Sequence, residues 1–155
     1  LVHSCSLLQA TRRINAAWNA LLGELIDNTL YLKGLKQQYD ICLVSNTNET
    51  HIESIRKTAG PFLWNQFVNV FDSLFLSYEM GSRKPEQAYY QTVLDNMCAN
   101  PNEVLFIDDN LENLKAAEAF GINTSLFNVQ EGILEEHLPA VLAQFNERST
   151  SVSRV

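Results

Sequence analysis

Apolar and polar positions fall in two alternating rhythms along this chain. From Thr11 to Ile26 the apolar residues are Ile14, Ala17, Trp18, Leu21, Leu22, Leu25 and Ile26, which is one stripe at helical spacing. Asp27-Asn28-Thr29 offers cap chemistry for a second helix running to about Tyr39. The short apolar run Ile41-Cys42-Leu43-Val44 then stops at Ser45-Asn46-Thr47-Asn48, the pattern of a buried parallel strand ending in a polar loop. A helix is predicted from about Glu49 to Ala59, stopped by Gly60-Pro61. The cycle repeats with a strand over Phe71–Leu76, a loop at Gly81–Pro85, and a helix from Pro85 to about Asn96. After a turn at Asn100-Pro101-Asn102, Val104–Ile107 reads as a strand that ends in Asp108-Asp109-Asn110. A helix from Leu111 to Phe120 should close on a left-handed Gly121, followed by a strand over Ile122–Phe127 and a helix over residues 130–145.

Strands alternating with helices predict an α/β fold with an open parallel sheet. Ligands of such sheets bind beyond the carboxyl ends of the strands. Ser45-Asn46 and Asp108-Asp109 lie at two such ends, and Lys84 lies in another strand-to-helix connection. Adjacent carboxylates at the end of a buried strand need a neutralising charge. Two hard oxygen ligands suit Mg²⁺, which takes one or two carboxylates and keeps several waters. Lys84 supplies a compact cation, and a hydroxyl and an amide at Ser45 and Asn46 suit the oxygens of an anion. Each feature alone has an ordinary explanation: Asp-Asp as a helix cap, Lys84 as a solvated surface residue, Ser-Asn as turn chemistry. Their common placement at strand ends is what points to a site.

Composition narrows the class. The chain has 155 residues and a net charge of −7, with 46% hydrophobic residues, enough for one globular core rather than a disordered segment. A pI near 4.9 and the lack of a dense Lys/Arg run disfavour a nucleic-acid or anionic-membrane partner. No apolar run approaches the ~18 residues of a membrane span, and the first residues do not follow a signal-peptide pattern. Cys5, Cys42 and Cys98 are few, odd in number and widely spaced, so reduced buried thiols in a cytoplasmic protein are expected. Residue 1 is Leu rather than Met, consistent with a fragment.

Leu43-Val44-Ser45-Asn46-Thr47-Asn48 resembles the second motif of the haloacid dehalogenase-like superfamily. Arg83-Lys84-Pro85-Glu86 resembles the third, and Val104 to Asn113 resembles the fourth. Ala116 to Ile122 also follows the family pattern, so the likeness covers roughly residues 30 to 128. It is greatest to the branch with a small helical cap, which includes sugar-phosphate phosphatases and the N-terminal domains of some epoxide hydrolases. The resemblance implies a Rossmann-like core over residues 30–146, a remnant of the cap over 1–29, and a frayed tail over 147–155. It implies a Mg²⁺-dependent phosphohydrolase acting on a small phosphorylated metabolite, such as a sugar phosphate. Ser45 and Asn46 would bind the phosphoryl group, and Lys84 would balance its charge. Asp108 and Asp109 would hold Mg²⁺, which of them directly being open, with Asn113 supporting the loop. The intact acidic pair favours phosphohydrolase over the halide-releasing members.

One family element is missing. The nucleophile and its acid/base partner lie in an Asp-x-Asp motif at the end of the first strand, and no Asp-x-Asp precedes Ser45. Asp27 and Asp40 are the only aspartates there, and they read as a helix cap and a turn residue. In the family that strand lies centrally, between the strands that end here at Ser45 and Asp108. A gap in the sheet and an inactive chain are therefore expected, with a non-catalytic phosphate- or protein-binding module as the alternative.

Overall fold

In a computed structural model of the chain, residues 31–128, 130 and 132–152 are described. The stripe over residues 11–26, Asp27, Cys5 and the cap remnant over 1–29 lie outside them. The described elements are β1 (Cys42–Ser45), α1 (Glu49–Val68), β2 (Ser73–Leu76), α2 (Ser77–Met80), α3 (Gln87–Met97), β3 (Leu105–Asp108), α4 (Leu111–Glu118), β4 (Asn123–Leu126) and α5 (Leu134–Val152). Strands and helices alternate as the pattern requires. Two compact units divide the described residues, one of 31–43 and 48–74, the other of 44–47 and 75 onward.

In the first unit, residues 31–35 are helical. The Asn48 side chain caps α1 by accepting from the His51 N–H at 2.9 Å. Gly60 breaks this helix where expected, at φ 74° and ψ 164°, but helix resumes after Pro61 and continues to Val68. Trp64, Phe67 and Phe71 form a run of ring contacts. Asp72 is the clip of the unit. It pairs with Lys36 at 2.8 Å and accepts from the Ile41 N–H at 2.8 Å, while its own N–H donates to the Ile41 carbonyl at 2.7 Å. The entries to β1 and β2 are thereby held side by side. Cys42 is half-buried, and burial, then the carboxylates of Asp72 and Asp40, push its thiol up, which disfavours the thiolate. Cys98, by contrast, is exposed, because it ends α3 in a left-handed conformation instead of facing a core.

In the second unit, α3 begins two residues later than expected. Glu86 is extended and caps the helix, and Pro85 lies in the preceding loop after a cis Lys84–Pro85 bond. Tyr89, Tyr90, Val93 and Leu94 form the buried face of α3. Asn100 and Glu103 make a reciprocal capping box that leads into β3. β3 and β4 run parallel, in the register Leu105↔Asn123 to Asp108↔Leu126. The core here is Tyr90, Leu94, Ala117 and Ile122, packed by Val104, Phe106, Ala116 and Phe120. The tyrosine ring meets Phe106 edge-on at 5.9 Å. Ser125 Oγ and His137 Nε2, 2.9 Å apart, join β4 to α5. That helix runs on to Val152, past the expected end near residue 145.

The strands form two pairs, β1 with β2 and β3 with β4, and no ladder joins β1 to β3 among the described residues.

Two outcomes follow from these local structures. Gly121 has φ 82°, with its N–H on the Glu118 carbonyl (2.8 Å) and the Ile122 N–H on the Ala117 carbonyl (3.3 Å), a Schellman closure. An added Cβ would meet only Pro101 Cβ at 3.7 Å, so a side chain there costs backbone energy rather than space. Gly121→Ala should destabilise the fold by about 1–2 kcal/mol in chemical denaturation, and Gly121→Asn by less. The second concerns Asp72, whose carboxyl is held below its ordinary 3.8 by the Lys36 hydrogen bond, then by the Ile41 N–H. Its contribution is complete above pH 3.8 and is lost as pH falls through the lower folded value. Asp72→Asn should therefore lower Tm at neutral pH, and the gap from wild type should close in strong acid.

Candidate phosphate and metal site

β1 and β3 end in polar residues because their apolar runs stop there, at Ser45 and Asp108. The structure places Lys84 between residues of both. Its Nζ donates to the Val44 carbonyl at 3.1 Å and to Asp108 Oδ2 at 2.6 Å, and lies 5.4 Å from the centre of the Phe106 ring. The two charged side chains are only 9% and 5% exposed, so each requires the other. Asp108 Oδ1 accepts from the Asn110 N–H at 2.8 Å and from Asn113 Nδ2 at 3.0 Å. Every oxygen of this carboxylate thus has a partner. Asp109, the next residue, is exposed.

Asn46 lies on the exposed loop after β1 and is tied to Lys84 through the main chain. Its Oδ1 accepts from the Lys84 N–H at 2.9 Å, and its Nδ2 donates to the Lys84 carbonyl at 2.7 Å. One residue on, the Thr47 N–H donates to Ser77 Oγ at 2.9 Å, and that hydroxyl donates to the Thr47 carbonyl at 2.8 Å. Ser45, half-buried, sits between Val44 and Asn46, both of which bond Lys84. Two of the expected residues, Asn46 and Asp108, therefore meet at Lys84. Its partner is Asp108, where the resemblance gave it a nucleophile and a phosphate.

Two tyrosines of α3 support the cluster. Tyr89, fully buried, donates to the Phe75 carbonyl at 2.6 Å, and Tyr90 donates to the Asn113 carbonyl at 2.8 Å. Burial pushes both hydroxyls up to about 12, with the Asp108 charge adding to the effect at Tyr90. Both remain neutral donors at any working pH. Sequence reasoning missed these two, the Val44 carbonyl and Ser77. The only available signal was the tyrosine pair at core positions of a helix, where a buried hydroxyl must find an acceptor.

The exposed Asp109 offers a divalent cation hard oxygens, beside Asp108, whose two oxygens already accept from Lys84, Asn110 and Asn113. Mg²⁺ bound mainly by water needs no more than one or two carboxylates, so this donor set fits it. No group of three or more His, Cys, Asp or Glu side chains converges as a metal cluster among the described residues. Such a closed cage suits other metals better than Mg²⁺.

The model of the haloacid dehalogenase-like hydrolase family matches residues 8–121. Bifunctional epoxide hydrolase 2 of Mus musculus is 40% identical over 112 residues, 72% of this chain and 20% of that protein. D-ribitol-5-phosphate phosphatase of Bacteroides thetaiotaomicron is 28% identical over 109 residues, 70% of this chain and 53% of that protein. This chain thus spans about a fifth to a half of the length of these relatives. A solved haloacid dehalogenase family enzyme from Bacteroides thetaiotaomicron, in complex with magnesium and inorganic phosphate, superposes with a TM-score of 0.60 at 33% identity, covering 70% of this chain and 54% of that one. With its three strand-end motifs gathered on Lys84 and a family match over most of its length, the chain belongs to the haloacid dehalogenase-like hydrolases.

Proposed function

We propose that this chain is the phosphate- and magnesium-handling part of a Mg²⁺-dependent phosphomonoesterase that works through an aspartyl-phosphate. The observation that carries this reading is the buried ammonium of Lys84, held against Asp108 with the exposed Asp109 beside it. Phosphoryl transfer asks for little more than placed charge. Lys84 and the hydroxyl of Ser45 would meet the phosphoryl oxygens, with Asn46 at the same loop. Asp109, being exposed, would hold Mg²⁺ directly, and Asp108 would share it from its anchored position. Bound there, Mg²⁺ supplies charge neutralisation at the phosphoryl group.

A small phosphorylated metabolite fits this site as substrate. A sugar phosphate is supported by the likeness to the ribitol-5-phosphate phosphatase. Residues 1–29 are assigned to the end of a helical cap, 30–146 to the core and 147–155 to a tail, whose first residues, 147–152, continue α5. The substrate this reading takes is a cytoplasmic metabolite; no described helix is long and apolar enough to cross a membrane.

These 155 residues carry no Asp-x-Asp before Ser45, and that favours a second reading for the chain by itself: a non-catalytic phosphate-binding module. Both readings give the same outcome with p-nitrophenyl phosphate and Mg²⁺: no turnover above buffer. Clear Mg²⁺-dependent hydrolysis would show that another residue of the chain serves as nucleophile. Calorimetry separates site from scaffold. Asp109→Asn should weaken Mg²⁺ binding by at least tenfold while changing folding stability by less than about 0.5 kcal/mol, as expected of an exposed position. Undiminished Mg²⁺ binding in that variant would refute the metal assignment.

A further inference from the structure

We propose that Asn46 is a positioning residue for Lys84, acting on a bound phosphate through that lysine rather than as a ligand itself. This rests on the reading of Lys84 as the charge that meets the phosphate. The Asn46 amide presents one acceptor and one donor to one acceptor and one donor of the Lys84 main chain, at 2.9 and 2.7 Å. Both bonds fix its orientation, since a flipped amide would oppose like with like. An anion offers only acceptors, so it can use only amide N–H groups, and one of the two is already on the Lys84 carbonyl.

The contact is also not turn chemistry. An asparagine that shapes a turn bonds its own backbone about two residues on, whereas Lys84 is 38 residues away. The lysine side chain is nearly out of water, and its ammonium bonds both the Val44 carbonyl and Asp108. Movement of its Cα is therefore passed to its ammonium. The reciprocal Thr47–Ser77 pair fixes the loop from which Asn46 reaches out, so the clamp has a firm base.

Asn46 is exposed, so Asn46→Ala opens no core cavity and should fold normally. In nitrogen-15 NMR of the whole chain, this variant should speed exchange of the Lys84 amide proton by at least tenfold and shift the Lys84 ammonium signal. A clamp with no positioning role would leave the ammonium signal unmoved, and that result overturns the proposal. Inorganic phosphate titrated with Mg²⁺ into wild type, Asn46→Ala, Lys84→Met and the double variant supplies the second arm. Loss of one or two uncharged hydrogen bonds should weaken phosphate binding about three- to tenfold in Asn46→Ala. On the Lys84→Met background the same change should add nothing beyond about twofold, the signature of one residue acting through another. Equal losses on both backgrounds would make Asn46 a direct ligand and overturn the proposal. A wild-type chain that binds no phosphate would overturn the functional reading instead, and the NMR arm would still decide whether Asn46 places Lys84.

Discussion

A buried ammonium and a buried carboxylate, Lys84 and Asp108, hold the polar end of this fold together at 2.6 Å. Taking either charge out of water alone would cost several kcal/mol, so each is tolerated only because the other is there. The pair also needs its remaining valences filled. The Val44 carbonyl and the Phe106 ring do this for the lysine, and Asn110 and Asn113 do it for the aspartate. Tyr90 extends the chain by bonding the Asn113 carbonyl from inside the apolar core. Hydrophobic packing around Tyr90 and the placement of charge at the surface are thus parts of one network.

Most of the architecture was legible in the sequence because it is local. The Gly60–Pro61 break, the left-handed Gly121 and the polar stops after β1 and β3 each follow from backbone chemistry within a few residues. The helix beyond Pro61 was not legible, since Gly-Pro signals a stop whether or not helix resumes. The start of α3 was misplaced for a related reason. A proline suits the first turn of a helix, but here the Glu86 cap follows it.

The site was legible as a set of residues and not as a set of partners. Ser45, Asn46, Lys84, Asp108 and Asp109 could be picked out from strand-end placement, and Asn113 was expected to support the loop, as its bond to Asp108 does. Which loop meets which, side chain to main chain, is a tertiary fact that no periodicity encodes. Hence the bonds of the Asn46 amide to the Lys84 main chain could not be read from the sequence. The divided sheet was the opposite case. β1 and β3 were expected not to pair, and no ladder joins them among the described residues.

The neighbouring carboxylates Asp108 and Asp109 differ in a way their identical chemistry conceals. Asp108 stands on the last rung of the β3–β4 ladder, its carbonyl accepting from the Phe127 N–H at 3.1 Å and its side chain held at both oxygens. Asp109 follows it into solvent. One is a jaw fixed at both oxygens and the other is exposed. A ligand gripped between them would have to still only the second, so its toll in rotamer entropy is that of a single short side chain, about 0.5–1.5 kcal/mol.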